Sequence, residues 1–450
     1  MTGKRLFLNF FALVLLLAAL PALALAQDKP PTDASVQTPE AQTPSATDDD
    51  TPATAPLLQC GIPTGGVIGS AGDVDYYRIE TYGLRPSMVS IKAWEVGSPL
   101  DAVLTLYGPD GPTVVARQDD FDARAPRLHW TPQTNASLPG PHDKDSLYYV
   151  KVANFSGGGG SAYTYSITYH VYPVYVGMTA SGTVGGVSYE KGDILLADYN
   201  CQTGSTSWEM FFDASAAGVT GNVRDFAVLN GDPSVASQHG YILMSLDKQT
   251  IPGLGTVVAN DLVAFQVNDV GADDTSGSFH RIFDGSDVGL TTKGEQIDGL
   301  TIFDNPLMLS PSGKGSVMNA TFANEDILVF NPSQLGTTTS GSWALHFDGS
   351  NVGLGAVDTQ GIHLKLSESD GAQFLYVTFD KTIQIGGTTV TPRDSQRCWI
   401  RTVGLNNTSC DWLGLQFFGS VQGLPATAVF DGYDEGGSQW WPAAFSNLPK

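Results

Sequence analysis

The stretch IFDGSDVGLT, residues 282–291, recurs as HFDGSNVGLG at 346–355 and as FFDASAAGVT at 211–220; a weaker copy is FFGSVQGLPA at 417–426. Aligned on one aromatic, the copies place Phe212, Phe283, Phe347 and Phe418 in a column with intervals of 71, 64 and 71 residues. Other pieces move in step with it, which separates a repeat from a chance decapeptide. Apolar runs open on an acid as DILLAD (Asp193), DLVAFQ (Asp261) and DILVFN (Asp326), with RCWIRT (Arg397) in the fourth place. A small-polar turn and an aromatic lead into each anchor. Two further runs follow it, such as DFAVLN then YILMSL, and GIHLKL then LYVTF. Each unit therefore holds four short strands separated by Gly, Asn, Asp and Ser turns.

The fourth unit has three such strands, ending in ATAVFDGYD, and lacks a convincing fourth. Just before the first unit, VYVGMTASGTVGGVSYEKGDILL at Val174 matches the pattern of YILMSLDKQTIPGLGTVVANDLVAF at Tyr241. The missing strand is expected from there, and a ring that mixes N- and C-terminal strands in one sheet is how β-propellers avoid free edges. Residues 173–450 are thus expected to form a four-repeat, four-bladed β-propeller-like domain closed by the strand at 174–179. Two packed sandwiches are the alternative.

Composition agrees with an exported all-β chain: of 450 residues 15% are charged, and glycine reaches 51. Residues 1–26 read as a secretory signal peptide, with Lys4 and Arg5 before the apolar run Leu6–Leu20 and Ala24-Leu25-Ala26 at the cleavage site. Removing Lys4 and Arg5 with it takes the formal charge from −23 to −25. Such a balance repels nucleic acid and anionic membrane, and no later run reaches the roughly 20 apolar residues of a membrane span. Residues 27–57, rich in Pro, Thr and Asp and without aromatics, are expected to be a disordered linker.

Residues 58–172 carry a different pattern of about eight strands in roughly 115 residues, which fits one β-sandwich. Tyr163, Tyr165, Ile167, Tyr169 and Val171 alternate along its last strand and mark the core face. The pieces GDVDYYRIE (Gly72), LDAVLTLYGPDG (Leu100), DDFD (Asp119) and YYVKVANFSGGGGSAYTYSITY (Tyr148) resemble the bacterial pre-peptidase C-terminal (PPC) domain family. That resemblance implies a small jelly-roll-like sandwich, secreted as an accessory to another domain. Some relatives bind collagen, polysaccharide or calcium. The FDGSDVGL repeats resemble arrays in bacterial exported proteins of no established activity.

Four cysteines in an exported chain favour disulfides. Cys398 and Cys410 flank one expected hairpin and are readily bridged. Cys60 and Cys201 would then staple the sandwich to the first repeat, though spacing alone leaves the other two connectivities open. Carboxylates are the candidate metal ligands, with Ca²⁺ as the cation: Asp193, Asp261 and Asp326 at equivalent repeat positions, and the cluster Asp119, Asp120 and Asp122. The other reading of each is a turn closed by its own side chain, and the same choice applies to Asp73 and Asp75. HExxH, GxSxG and GxxxxGK are all absent from the sequence. The expected function is therefore a secreted, non-enzymatic binding or adhesion module for an extracellular protein or polysaccharide. A polysaccharide hydrolase using Asp225, Asp298 and Glu295 at the propeller axis, or a structural cell-surface protein, are the alternatives.

Overall fold

A computed structural model describes residues 49–81, 87–93, 97–119, 126–130, 146–199, 205–230, 240–302, 306–318, 320–366 and 373–435. The expected signal peptide lies outside them. The fold is all-β and includes a sheet curled into a half barrel.

Strand Thr164–Met178 runs through the expected boundary at 172/173 and belongs to both halves. Its first half alternates as the sequence predicts: Tyr165, Ile167, Tyr169 and Val171 are buried in one apolar core, while Ser166, Thr168 and His170 face the other way. Strands Thr64–Val67, Ser87–Lys92 and Arg127–Trp130 extend this sheet. A second sheet, in the order Val74–Thr81, Ser146–Asn154, Ala102–Tyr107 and Val114–Gln118, closes the same core from the opposite side. The result is a β-sandwich. Residues 49–57, expected to belong to the linker, are held against it: the Tyr76 N–H donates to the Asp49 carbonyl (2.7 Å) and the Arg78 N–H to the Pro56 carbonyl (2.9 Å).

Beyond Pro173 come three separate antiparallel four-stranded sheets and a further group of four strands, here sheet I, that is continuous with the sandwich in one seven-stranded sheet. Sheet I is Phe430–Glu435, the second half of Thr164–Met178, Ile194–Tyr199 and Thr206–Phe212. Sheet II is Val223–Leu229, Tyr241–Leu246, Leu262–Asp269 and Ser276–Phe283. Sheet III is Ile297–Ile302, Leu307–Pro311, Ile327–Gln334 and Ser340–Phe347. Sheet IV is Thr359–Leu366, Gln373–Phe379, Asp394–Thr402 and Ser409–Phe418. In each, a two-stranded hairpin links the second strand to the third. The first-named, inner strands all touch one another. The C-terminal strand pairs antiparallel with residues 174–178, Phe430 opposite Met178 and Glu435 opposite Val174, so the end of the array is hydrogen-bonded to its beginning.

The recurring decapeptide is the turn that leaves each outer strand. In IFDGSDVGLT, Asp284 caps a short 3-10 turn by accepting from the Ser286 N–H (3.1 Å), and Gly289 ends it in the left-handed region at φ 96°. Gly285 is required on its own account, because a Cβ there would fall on the Asn260 carbonyl. Phe212, Phe283 and Phe347 are fully buried, as an anchor demands. The fourth copy is corrected by one residue: Phe417 is buried and Phe418 is 45% exposed. The Cys398–Cys410 disulfide joins the third and outer strands of sheet IV, with Cα atoms 5.8 Å apart. Cys60 is also disulfide-bonded; Cys201 lies outside the described residues.

Candidate functional site

The repeat aspartates form one motif. Asp193 accepts from the N–H groups of Glu190 (2.7 Å) and Ala214 (2.9 Å), and Asp326 from those of Ala323 (2.8 Å) and Gly349 (3.0 Å). Asp261 does the same with Val258 and Gly285, both at 3.3 Å, and adds an ion pair to Arg281 at 2.7 Å. The fourth member is Asp394, which accepts from Thr391 and Gly419 at 3.0 Å. This corrects the alignment of Arg397 with the acids. Each carboxylate ties the turn before its strand to the turn that leaves the outer strand. The structure seats Asp193, Asp261 and Asp326 in three different sheets and does not gather them around a common point. Burial pushes all three up from the usual carboxylate range, Asp326 to about 6.

Of the second set of candidate ligands, Asp119 is buried just after strand Val114–Gln118, while Asp120 and Asp122 lie outside the described residues. Asp73 closes a turn by accepting from the Gly69 N–H at 2.5 Å. Asp75 accepts from the Tyr165 hydroxyl inside the sandwich, and burial raises it to about 7. One oxygen from each of Asp49, Asp50 and Asp75 lies within a common 4.8 Å.

The inner strands meet around Asp225. Its Oδ2 accepts from the N–H groups of Leu300 (2.5 Å) and Ile362 (3.4 Å), and its Oδ1 from that of Tyr433 (3.1 Å), so one side chain of sheet II ties the inner strands of sheets III, IV and I. The register puts Gly299 and Gly432 at the equivalent positions, and Gly361 lies there beside Thr378. There is no room for a second side chain: a Cβ at Gly432 would stand 2.9 Å from Asp225 Oδ1, and one at Gly361 2.8 Å from the Tyr433 nitrogen. Burial drives the Asp225 carboxyl well above its usual range, against the pull of four backbone N–H bonds. Asp225 has no exposed surface, and Glu295 caps a turn by accepting from the N–H groups of Thr291 and Thr292. The carboxyl pair considered for glycoside hydrolysis therefore has no open cleft here.

At one end of the inner strands, Arg224 pairs with Asp298 at 2.6 Å and Asp247 at 2.9 Å. Asp431 accepts from the Asn222 amide. Burial and the neighbouring Asp298 raise Asp358 to about 8, and burial raises Asp431 to about 7. Both lie above the unfolded value of 3.8, so the folded state holds more protons than the unfolded chain, and the stability linked to them is lost as pH rises through these values. The melting midpoint is expected to fall as pH rises from about 4 and to level off above about pH 8. Asp358→Asn should flatten that fall in scanning calorimetry; an unchanged slope would count against the assignment.

A cleft of about 250 Å³ opens over the strand shared by sandwich and sheet I. Its lining comes from one face of four neighbouring strands and from Arg127: Ser90 and Lys92, Ser166, Thr168 and His170, Asp198, then Ser207 and Glu209. The opposite, apolar face fills the sandwich core on one side of Pro173 and packs with sheet IV on the other. His170 stands at the centre, with Nδ1 2.8 Å from Asp198 Oδ2 and Nε2 2.9 Å from Ser90 Oγ. Arg127 and Lys92 lie towards the sandwich edge, Asp198 and Glu209 towards the outer strand of sheet I. Sequence reasoning missed this group because its members are as many as 119 residues apart (90 to 209). The one local signal was the polar face of TYSITYH, opposite the stripe that marks the core.

No family model matches the chain, and no curated protein does. Among solved structures it is similar to the pre-peptidase C-terminal domain of a collagenase from Bacillus anthracis. The two are 13% identical with a TM-score of 0.20, over 26% of this chain and 93% of that one. Among the described residues, no helix is long and apolar enough to cross a membrane.

Proposed function

We propose that the protein is an exported binding module, a four-bladed β-propeller joined to a PPC-like β-sandwich through a shared strand, and that the cleft over this strand holds an extended segment of an extracellular protein. Three four-stranded sheets, a matching group of four strands within the seven-stranded sheet, mutual contact of the inner strands and the pairing of 430–435 with 174–178 support the propeller. The leader-like residues 1–26 and the formal charge of −23 support export and argue against nucleic acid.

The observation that carries the ligand class is the lining itself. Bases stand at one edge and acids at the other, with Ser and Thr hydroxyls between them and, among the described residues, no Phe, Tyr or Trp. Sugars are commonly held by stacking on the faces of Phe, Tyr or Trp, which none of the described lining residues offers. A peptide strand of mixed charge matches both the charge order and the hydroxyl floor. The two halves form one compact unit, so the cleft is carried on a preorganised scaffold.

Arrays of mixed-charge decapeptides, probed with residues 27–450, are expected to bind in the micromolar range. The reversals Arg127→Glu and Glu209→Lys should each weaken that binding about tenfold or more. Binding indifferent to both reversals, or retention of polysaccharides in place of peptides, would overturn this ligand assignment.

A further inference from the structure

We propose that the cleft is also a site of acyl transfer, in which Ser90 is the nucleophile, His170 the general base and Asp198 the group that orients it, with carboxylic esters as the substrate class. The inference rests on the cleft being the ligand site and adds chemistry to it.

Asp198, His170 and Ser90 sit on three consecutive strands of one sheet and face the same side. The contacts run in the order that nucleophilic catalysis requires. A carboxylate only accepts, so the 2.8 Å contact fixes the proton of neutral His170 on Nδ1, and this leaves the Nε2 lone pair for the Ser90 hydroxyl at 2.9 Å. Ser90 is 9% exposed, and the side chains of His170 and Asp198 are 14% and 16% exposed. The chain is therefore shielded from bulk water yet opens into the cleft. Asp198 Oδ1 is buried without a hydrogen-bond partner, so the carboxylate's charge is not shared with another donor there.

The backbone is adjusted at the same place. Pairing between Ile194–Tyr199 and Thr164–Met178 slips between Ala197 and Tyr199, next to Pro173, which has no N–H to give the ladder. The extra residue of this bulge lies on Thr164–Met178, between Val171 and Val174, while Asp198 keeps its regular place opposite Ser207 and shares the cleft face with Leu196. A seat for developing negative charge is also at hand. Arg127 is the cross-strand partner of Ser90, and Lys92 lies two residues further on the same face.

In the first step the Ser90 Oγ–H proton passes to His170 Nε2 as Oγ bonds to the ester carbonyl carbon. The tetrahedral intermediate carries its oxyanion near the two cations. On collapse the C–OR bond breaks, and the alkoxide leaves as the alcohol with the proton from His170. Water, deprotonated by the same imidazole, then releases the carboxylic acid and restores Ser90. Ser90 lies mid-strand, where backbone N–H groups serve the ladder rather than an oxyanion hole. This favours esters, with their better leaving groups, over amides.

The test is to treat residues 27–450 with a fluorophosphonate, whose phosphorus Ser90 attacks with loss of fluoride, and to map the adduct by mass spectrometry. One adduct is expected, on Ser90 and not on the neighbouring Ser207. It should be absent from Ser90→Ala and form about a thousandfold more slowly in Asp198→Asn, which holds the wrong histidine tautomer. Hydrolysis of p-nitrophenyl acetate is expected to follow the same pattern. An unlabelled native Ser90, or labelling indifferent to Asp198→Asn, overturns the proposal even if a variant folds poorly, because the native map alone decides the first point. Peptide binding without an adduct leaves the binding reading standing and removes this one; an adduct without peptide binding does the reverse.

Discussion

Asp225→Ala is expected to destabilise the chain by about 3–5 kcal/mol, because it leaves several buried backbone donors without their acceptor. Equilibrium urea unfolding would measure it. The substitution removes the acceptor for the N–H groups of Leu300, Ile362 and Tyr433, which belong to three different sheets. Each orphaned buried donor costs about 1–3 kcal/mol. Water cannot readily replace the carboxylate, since Gly299, Gly361 and Gly432 are packed against backbone and side-chain atoms at under 3 Å from an added Cβ. Asp225→Asn retains a carbonyl acceptor but turns an NH2 towards the remaining donors, so an intermediate loss is expected. A loss below about 1 kcal/mol for Asp225→Ala would mean that the inner strands hold together without it.

The repeat was legible because its turns make demands that few residues meet. Gly285 and Gly349 avoid a carbonyl, and Gly289 and Gly353 adopt a left-handed conformation, so the second and third copies share the spelling FDGS-x-VG. The fourth copy was misread where those demands relax. Phe417 and Phe418 are adjacent aromatics, and only pairing with the third strand says which faces inward. Pairing there slips between Ser395 and Gln396 and again between Arg397 and Cys398, which hid Asp394 behind Arg397. Asp225 was noticed but matched with Asp298, one position off, because both open a run as DF or DG. The register instead sets Asp225 against Gly299, Gly361 and Gly432, a comparison of unlike residues that no search for repeated acids would make. The cleft was illegible for another reason. Its polar face is visible in TYSITYH, but its partners depend on which strands lie beside it, and that is fixed by tertiary pairing.

The second large effect is expected at the far end of the inner strands, where Lys365 and Glu435 are joined at 2.8 Å with side chains 9% and 0% exposed. Glu435 also accepts from the Tyr433 hydroxyl at 2.8 Å, and the Lys365 ammonium lies 5.2 Å from the centre of the Tyr376 ring. Burial lowers the lysine from its usual range while Glu435 holds it up. Glu435→Ala would strand that ammonium in the interior and should cost about 3–5 kcal/mol, read by urea unfolding. It also acts on the closing pair, because Glu435 is the residue opposite Val174. Lys365→Met with Glu435→Leu removes both charges at similar volume, and such swaps range from neutral to stabilising by about 1–4 kcal/mol. Tyr433→Phe is added so that the freed hydroxyl is not left unpaired. If the triple variant is as stable as the native chain, the ion pair adds nothing net to closure, and strand pairing with apolar contact suffices. If it stays as unstable as Glu435→Ala, the closing strand depends on this charge pair for its register, and the ends of the array are matched by electrostatics as well as by backbone hydrogen bonds.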